Sequence, residues 1–197
     1  MMPQVSNIRK CTGATLVEVL VTLFVTSVGL LGVTGLEIVA KSTGHEAIQR
    51  TTAAMLAHEY VERMRANPQQ LADYSGVTLG GGTLDTPATL CDEVTCDAAQ
   101  TAAFDVWQWE RTLDGVAEQL GDTDTGGLLN PQACVSGPAG GAAGESGVYT
   151  VSIAWRGTTP LSNPTANACG ESEALYGDGN AYRRLLTMQV FVSDNGF

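Results

Sequence analysis

The sequence of 197 residues predicts an α+β fold, in which a long N-terminal helix packs on a small antiparallel β-sheet. Three observations lead to this prediction. The residues from Val19 to Leu36 are apolar and uncharged, and a helical pattern continues beyond them as far as Asn67. Two segments near the C-terminus alternate apolar and polar residues with a period of two, which is typical of strands. The length suits one globular domain with an accessory segment.

The apolar segment is long enough to cross a membrane. Val19 to Leu36 contains no charge across 18 residues, and with Ala14 to Val17 it reaches the ~20 residues that span a bilayer. Arg9 and Lys10 precede it, so the positive-inside bias places the N-terminus in the cytoplasm. A cleaved secretory signal is the alternative, but its apolar core is typically only ~7 to 15 residues. We therefore predict a single membrane-spanning helix over residues 14–38.

Glu18 is the residue that a plain membrane anchor leaves unexplained. A carboxylate inside the bilayer costs ~2.5 kcal/mol or more on insertion scales, so it is by default a functional residue that needs a partner. No basic residue lies within one helical turn of Glu18. The partner is therefore expected outside the local sequence.

The helix is predicted to continue out of the membrane as an amphipathic segment over residues 39–67. Its apolar row, with spacing four, consists of Thr52, Leu56, Tyr60 and Met64, flanked by Ile48 and Met55. The helix should stop at Asn67, because the residue before a proline is pushed out of helical geometry. A globular head domain is expected over residues 68–197.

The head domain is predicted to hold one helix and a pair of strands. Residues 69–90 are glycine-rich and should form a loop with at most a short strand. Asp97 and Gln100 are spaced as a capping box, and a helical apolar pattern follows as far as Leu120, with Trp107 and Trp109 as core and boundary aromatics. A turn-rich stretch then leads to antiparallel strands at Val148 to Trp155 and Arg184 to Val192.

Four cysteines follow the predicted membrane segment, an even number that indicates disulfides in an oxidising compartment. Four cysteines allow three connectivities. We favour Cys91 with Cys96, which is local, and Cys134 with Cys169, which would brace a long loop. Unpaired buried thiols are the alternative.

Composition and motifs argue against several other functions. The net charge of −11, without a basic stripe, disfavours nucleic-acid binding. His58 and Glu59 begin a zinc-peptidase pattern, but Glu62 occupies the position of the second histidine. The segment from Asp122 resembles a calcium loop but lacks the bidentate glutamate at the twelfth position. It is expected to be a solvated acidic turn, with a calcium site of a different kind as the alternative. We expect no enzyme activity, no cofactor and no metal site.

The N-terminal residues resemble the class III signal of type IV pilins and of the pseudopilins of type II secretion. The resemblance lies in Gly13 followed by ATLVEVLVTLFV, with basic residues before the glycine and Glu18 at the fifth place after it. It implies that a membrane aspartyl peptidase removes the leader, residues 1–13, and methylates the new N-terminus at Ala14, where the family usually has Phe. It also implies that Glu18 pairs with the N-terminal amine of a neighbouring subunit, since opposite charges attract strongly in a low dielectric.

Within this set, the chain resembles the type IV pilus modification protein (PilV) family of minor pilins, in the segments SVGLLGVTGLE, ERMRANP, DAAQTAAFDVWQWERTL, YTVSIAW, ACG and RRLLTMQVFV. The resemblance implies a subunit that primes pilus assembly and sits at the tip. Its implied partners are other minor pilins, the major pilin, the prepilin peptidase, the inner-membrane assembly platform, a tip adhesin and, before assembly, the lipid bilayer. The implied location is the bacterial inner membrane and then the pilus. Alternatives are a minor pseudopilin and a membrane-anchored protein outside any filament.

Overall fold

In the computed structural model of the chain, the described residues are 13, 15–116, 119–120, 123–124, 126–171 and 174–195. The helices are α1 (Leu16–Ala66), α2 (Leu71–Tyr74) and α3 (Ala98–Leu113). The strands are β1 (Val77–Leu79), β2 (Gln119–Leu120), β3 (Thr123–Asp124), β4 (Gln132–Ser136), β5 (Gly147–Arg156) and β6 (Arg183–Val192). Single 3₁₀ turns lie at Pro68–Gln70, Ala174–Tyr176 and Asp178–Asn180. This arrangement confirms the α+β prediction. The chain divides into two compact units, Met1–Gly44 and His45–Phe197.

The first unit contains the apolar start of α1. Its large apolar side chains are exposed, for example Phe24 at 71% and Leu31 at 73%. Thr26 and Ser27 donate their hydroxyls to the carbonyl oxygens of Thr22 and Leu23, so these polar groups need no water. By length and composition, α1 could cross a membrane, since an 18-residue window has a mean hydropathy of 2.2.

The core of the second unit begins with the C-terminal part of α1. Leu56, Tyr60 and Met64 are buried, as the spacing of four predicts. The flanking residues Ile48 and Met55 are exposed at 65% and 66%, because they lie on the opposite face of the helix. The buried positions beside the row are Gln49 and three small or β-branched residues, namely Ala53, Ala57 and Val61. Small side chains let the rest of the core approach the helix backbone closely.

Helix α3 starts as its sequence predicts and ends earlier. The Gln100 N–H donates to Asp97 Oδ1 at 2.9 Å, and the Asp97 N–H donates to Gln100 Oε1 at 3.0 Å, which completes the capping box. The prediction that the helical pattern runs to Leu120 is wrong. The helix stops at Leu113 because Gly115 has a φ of 77°, and a Cβ there would collide with the carbonyl group of Gly126.

The main sheet is antiparallel, with the strand order β1-β4-β5-β6. Strands β5 and β6 confirm the two predicted strands and pair along their full length, with Val151 opposite Met188. Strand β4 pairs with β1 on one side and with β5 on the other. The sequence pattern predicts turns and no strand at β4, because its five residues lie between proline and glycine, and the structure corrects this prediction. The small sheet contains only β2 and β3.

Candidate functional site

The residues of the N-terminal signal that the structure describes lie at the start of α1. Thr15 caps this helix, since its carbonyl oxygen accepts the Val19 N–H at 3.2 Å and its hydroxyl oxygen accepts the Glu18 N–H at 3.3 Å. Glu18 is exposed in the first turn, where the helix dipole favours a negative charge. No cation of the described residues forms an ion pair with it. Gly13 is exposed just before the helix, and Ala14 lies outside the described residues.

Two disulfides join the cysteines of the second unit, and they are the pairs that the sequence favours. Cys91 is bonded to Cys96, and Cys134 is bonded to Cys169 over a separation of 35 residues. The longer bridge ties β4 to the loop between β5 and β6. Loops often carry the residues by which a domain binds its partners, so the fixation of this loop matters for any binding surface.

A buried arginine organises the same loop. Arg183, at the start of β6, is only 1% exposed. Its Nε donates to the carbonyl oxygen of Cys169 at 2.9 Å, and its Nη1 donates to that of Pro164 at 2.7 Å and to Asn163 Oδ1 at 2.9 Å. Nη2 donates to the carbonyl oxygen of Asn167. One guanidinium therefore fixes four points of the loop, which satisfies a charge that would otherwise be costly to bury.

The neighbouring Arg184 ties the same strand to α1. Its Nε donates to Glu46 Oε2 at 3.0 Å, and its Nη2 donates to Glu46 Oε1 at 3.1 Å. The Thr158 N–H also donates to Glu46 Oε1, at 2.7 Å. Although burial alone raises it, these hydrogen bonds hold the pKa of the Glu46 carboxyl below its ordinary value. Through this bidentate pair, the part of α1 around Glu46, where the second unit begins, is held against strand β6.

Two carboxylates at the C-terminal end of α3, Glu110 in its last turn and the C-cap residue Asp114, hold a triple-glycine turn, Gly80–Gly82. Glu110 Oε1 accepts the N–H groups of Gly80 at 2.9 Å and Thr83 at 3.1 Å, and Asp114 accepts those of Gly81 at 2.8 Å and Gly82 at 2.7 Å. Burial raises the pKa of Glu110, but hydrogen bonds from the Thr83 hydroxyl and from the N–H groups of Gly80, Leu84 and Thr83 keep it below its ordinary value. The pair of carboxylates captures a glycine loop that carries no side chains of its own.

The C-terminal end of α1 is fastened to α3 by a polar network. Arg63 Nη1 donates to Asp105 Oδ1 at 3.0 Å, and the Tyr74 hydroxyl donates to Asp105 Oδ2 at 2.6 Å. Burial and the hydrogen bond to Asp105 raise the pKa of Tyr74. Trp109 is fully buried and donates its Nε1–H to the Leu56 carbonyl oxygen at 3.1 Å. Trp107 is half-buried, in accord with its predicted boundary role.

The described residues contain no group of three or more His, Cys, Asp or Glu side chains that could hold a metal ion. Asp122, the start of the alternative calcium loop, lies outside them. The roles of Glu110, Arg183 and Glu46 were not predicted. Glu110 lies 27 residues from its partner Thr83, Arg183 lies 14 residues from Cys169, and Glu46 lies 138 residues from Arg184. No short sequence motif indicates such distant pairs.

A capped apolar helix that begins with a processing signal and continues into a disulfide-bonded α+β unit defines a subunit of the pilin class. Two family models match the chain. Residues 8–34 match the prokaryotic N-terminal methylation motif, and residues 35–107 match the Tt1218-like model, described as type IV pilin Tt1218. Together the two matches run from residue 8 to residue 107, and they support a type IV pilin. Searches of curated proteins and of solved structures give no match.

Proposed function

We propose that this pilin is a minor pilin that takes part in priming type IV pilus assembly and in the complex at the pilus tip. Type IV pilins are structural subunits, and the two matched segments support processing by a prepilin peptidase and assembly with other pilus components. In the proposal, the peptidase cleaves after Gly13 and methylates Ala14. The finer assignment to the PilV family is supported by the resemblance of the head domain.

The observation that carries the proposal is the position of Glu18. It lies in the first turn of a helix whose following turns are apolar, and no described cation is paired with it. A carboxylate in such a setting is stabilised when an ammonium is brought to it in a low dielectric. Cleavage after Gly13 creates such an ammonium on every processed subunit. Pairing between neighbours would then set their axial register.

The proposed topology follows from the same residues. Arg9 and Lys10 would hold the N-terminus in the cytoplasm, and α1 would span the inner membrane once. The head domain would fold in the periplasm, where disulfides persist. Assembly would then move the subunit from the membrane into the pilus. The other minor pilins, the major pilin, the assembly platform and a tip adhesin are the proposed partners.

A minor pseudopilin of a type II secretion system is the second candidate, because it shares the N-terminal signal. Deleting the gene separates the two functions. We expect the deletion to reduce the amount of sheared surface pili and to leave the secretion of hydrolytic enzymes unchanged. Normal pili with blocked secretion would assign the protein to the secretion machinery instead.

Two complementation strains make this deletion experiment specific. The intact gene should restore pili, and a gene encoding Glu18→Ala should restore the processed protein in the membrane but not pili. A third strain that produces Glu62→Ala provides the control, because Glu62 is an exposed carboxylate of the second unit. If Glu18→Ala restores pili as fully as Glu62→Ala does, the register role is wrong.

A further inference from the structure

The second unit contains a cavity of about 820 Å³ that the pilin function does not use. Its lining comes from α1 and α3 and from the loops at residues 81–86 and 126–132. The volume lies within the range of roughly 300 to 1,000 Å³ that is usual for small-molecule sites. The cavity is therefore large enough for a ligand of a few sugar rings or a comparable compound.

The charges that line the cavity are mostly satisfied within the protein. Glu110 accepts hydrogen bonds on both carboxylate oxygens, from Thr83 Oγ1 at 2.6 Å and from the Leu84 N–H at 2.9 Å among others. Asp114 accepts two backbone N–H groups. The Arg111 guanidinium lies 5.0 Å above the ring centre of Trp107. His45 is the remaining ionisable group among the described lining residues. Such a lining does not select for an ionic ligand.

The polar group that lacks a partner is a neutral amide. Gln49 lines the cavity from α1 and is only 5% exposed. Its Oε1 is buried and has no hydrogen-bond partner among the described residues. Two other buried side-chain atoms share this condition, on Trp155 and Arg184, but neither residue lines the cavity. An amide both donates and accepts hydrogen bonds, as a ligand hydroxyl does.

The rest of the lining is mixed, with the polar side chains of Thr86, Asn130 and Gln132 beside several apolar residues. Leu128 is buried at 4% exposure, and the other apolar residues include Leu84, Trp107 and Pro131. A lining that combines aromatic and aliphatic side chains with an unpaired amide suits a molecule with one apolar face and several hydroxyl groups. We propose that this cavity binds a neutral oligosaccharide, with Gln49 as the residue that hydrogen-bonds its hydroxyl groups.

The test uses saturation-transfer difference NMR on the full chain in micelles of lauryldimethylamine oxide, a detergent without a sugar headgroup. The probes are maltotriose, lactose and chitotriose at millimolar concentration. Four proteins are compared: the wild type, Gln49→Leu, Leu129→Trp and the control Gln189→Leu. Leu129 is a half-exposed lining residue whose enlargement would fill the cavity, whereas Gln189 lies on β6 outside the cavity.

We expect at least one probe to bind the wild type and Gln189→Leu equally. Gln49→Leu should weaken that binding about three- to tenfold, the size expected for one neutral hydrogen bond. Leu129→Trp should weaken it through lost space. Gln49→Leu should unfold at the same or a higher temperature, because it removes an unpaired buried amide. Absence of binding by all three probes, or equal binding by Gln49→Leu, would overturn the proposal.

Discussion

Replacing Glu110 by glutamine removes a buried carboxylate and leaves its volume almost unchanged. Glu110 is 1% exposed. One of its oxygens accepts from Gly80 at 2.9 Å and from both donors of Thr83, and the other accepts the Leu84 N–H at 2.9 Å. A glutamine retains only one acceptor oxygen. Its NH₂ group must therefore face a backbone N–H, which places a donor against a donor.

The magnitude follows from these four hydrogen bonds. A hydrogen bond to a charged group contributes ~1.5 to 3 kcal/mol and a neutral one ~0.5 to 1.5 kcal/mol, and an unpaired buried donor costs ~1 to 3 kcal/mol. One unpaired Leu84 N–H, together with the lost charge on the remaining bonds, gives a destabilisation of about 3 kcal/mol after allowance for non-additivity. That cost is smaller than the ~5 to 15 kcal/mol by which domains are usually stable, so the variant should fold.

The destabilisation should depend on pH, with a sign fixed by the lowered pKa of Glu110. A carboxyl group whose pKa is lower in the folded state contributes stability above its unfolded pKa, and this contribution is lost as the pH falls through the folded pKa. Glutamine does not titrate. The difference in the free energy of unfolding between wild type and variant should therefore be largest near neutral pH and should shrink in acid.

The assay is denaturant unfolding of the full chain in detergent between about pH 7 and about pH 3, followed by the fluorescence of the three tryptophans, of which Trp109 and Trp155 are buried. All other acidic groups are common to both proteins, so their titration cancels in the difference. Glu62→Gln is the control, because Glu62 forms an exposed pair with Arg65 that should contribute less than ~1 kcal/mol. A Glu110→Gln difference that stays constant across this pH range would refute the reasoning.

Three further predictions concern processing, assembly and the disulfides. Glu18→Gln should be processed normally but be depleted from sheared pili in immunoblots, because it cannot pair with an ammonium; wild-type incorporation would contradict the register role. Gly13→Leu should keep the leader and show the precursor mass, whereas Gly13→Ala should still be cleaved; a mature mass for Gly13→Leu would count against the assigned cleavage site. Replacing Cys134 and Cys169 by serine should lower the free energy of unfolding by about 4 kcal/mol, against about 2 kcal/mol for the shorter bridge, since the entropy of loop closure grows with loop length. Equal losses in denaturant unfolding would argue against this explanation.

Local patterns predicted the elements whose cause is local. The capping box at Asp97, the helix end before Pro68 and the alternating strands each depend on residues within a few positions of one another. Charge and hydropathy likewise predicted the apolar helix, with Glu18 near its start. These features depend on short stretches of the chain, so a single sequence contains enough information to predict them.

The features that the sequence patterns did not predict depend on contacts between residues that are far apart in the chain. Strand β4 is short and flanked by turn residues, and it exists because β1 and β5 pair with it on both sides. The early end of α3 depends on the close approach of Gly115 to Gly126, which is a tertiary contact. The environment of Glu110 likewise requires a glycine turn that comes about 30 residues earlier in the sequence. Local sequence patterns do not indicate which distant residues will contact each other.

Glu18 differs from the buried charges of the second unit and from Glu37, which pairs with Lys41 at 2.9 Å in the first unit, and this contrast supports its proposed role. In the second unit, Glu46, Glu110 and Arg183 are each held by several partners from the same chain. Glu18 has no cationic partner among the described residues. A carboxylate in an apolar environment is tolerated only with a partner or after protonation. A register device needs a charge that is unpaired within its own chain, because a partner there would remove the reason to pair with a neighbour. A carboxylate without a partner in its own chain is thus the feature expected of a subunit that pairs with the N-terminal ammonium of its neighbour.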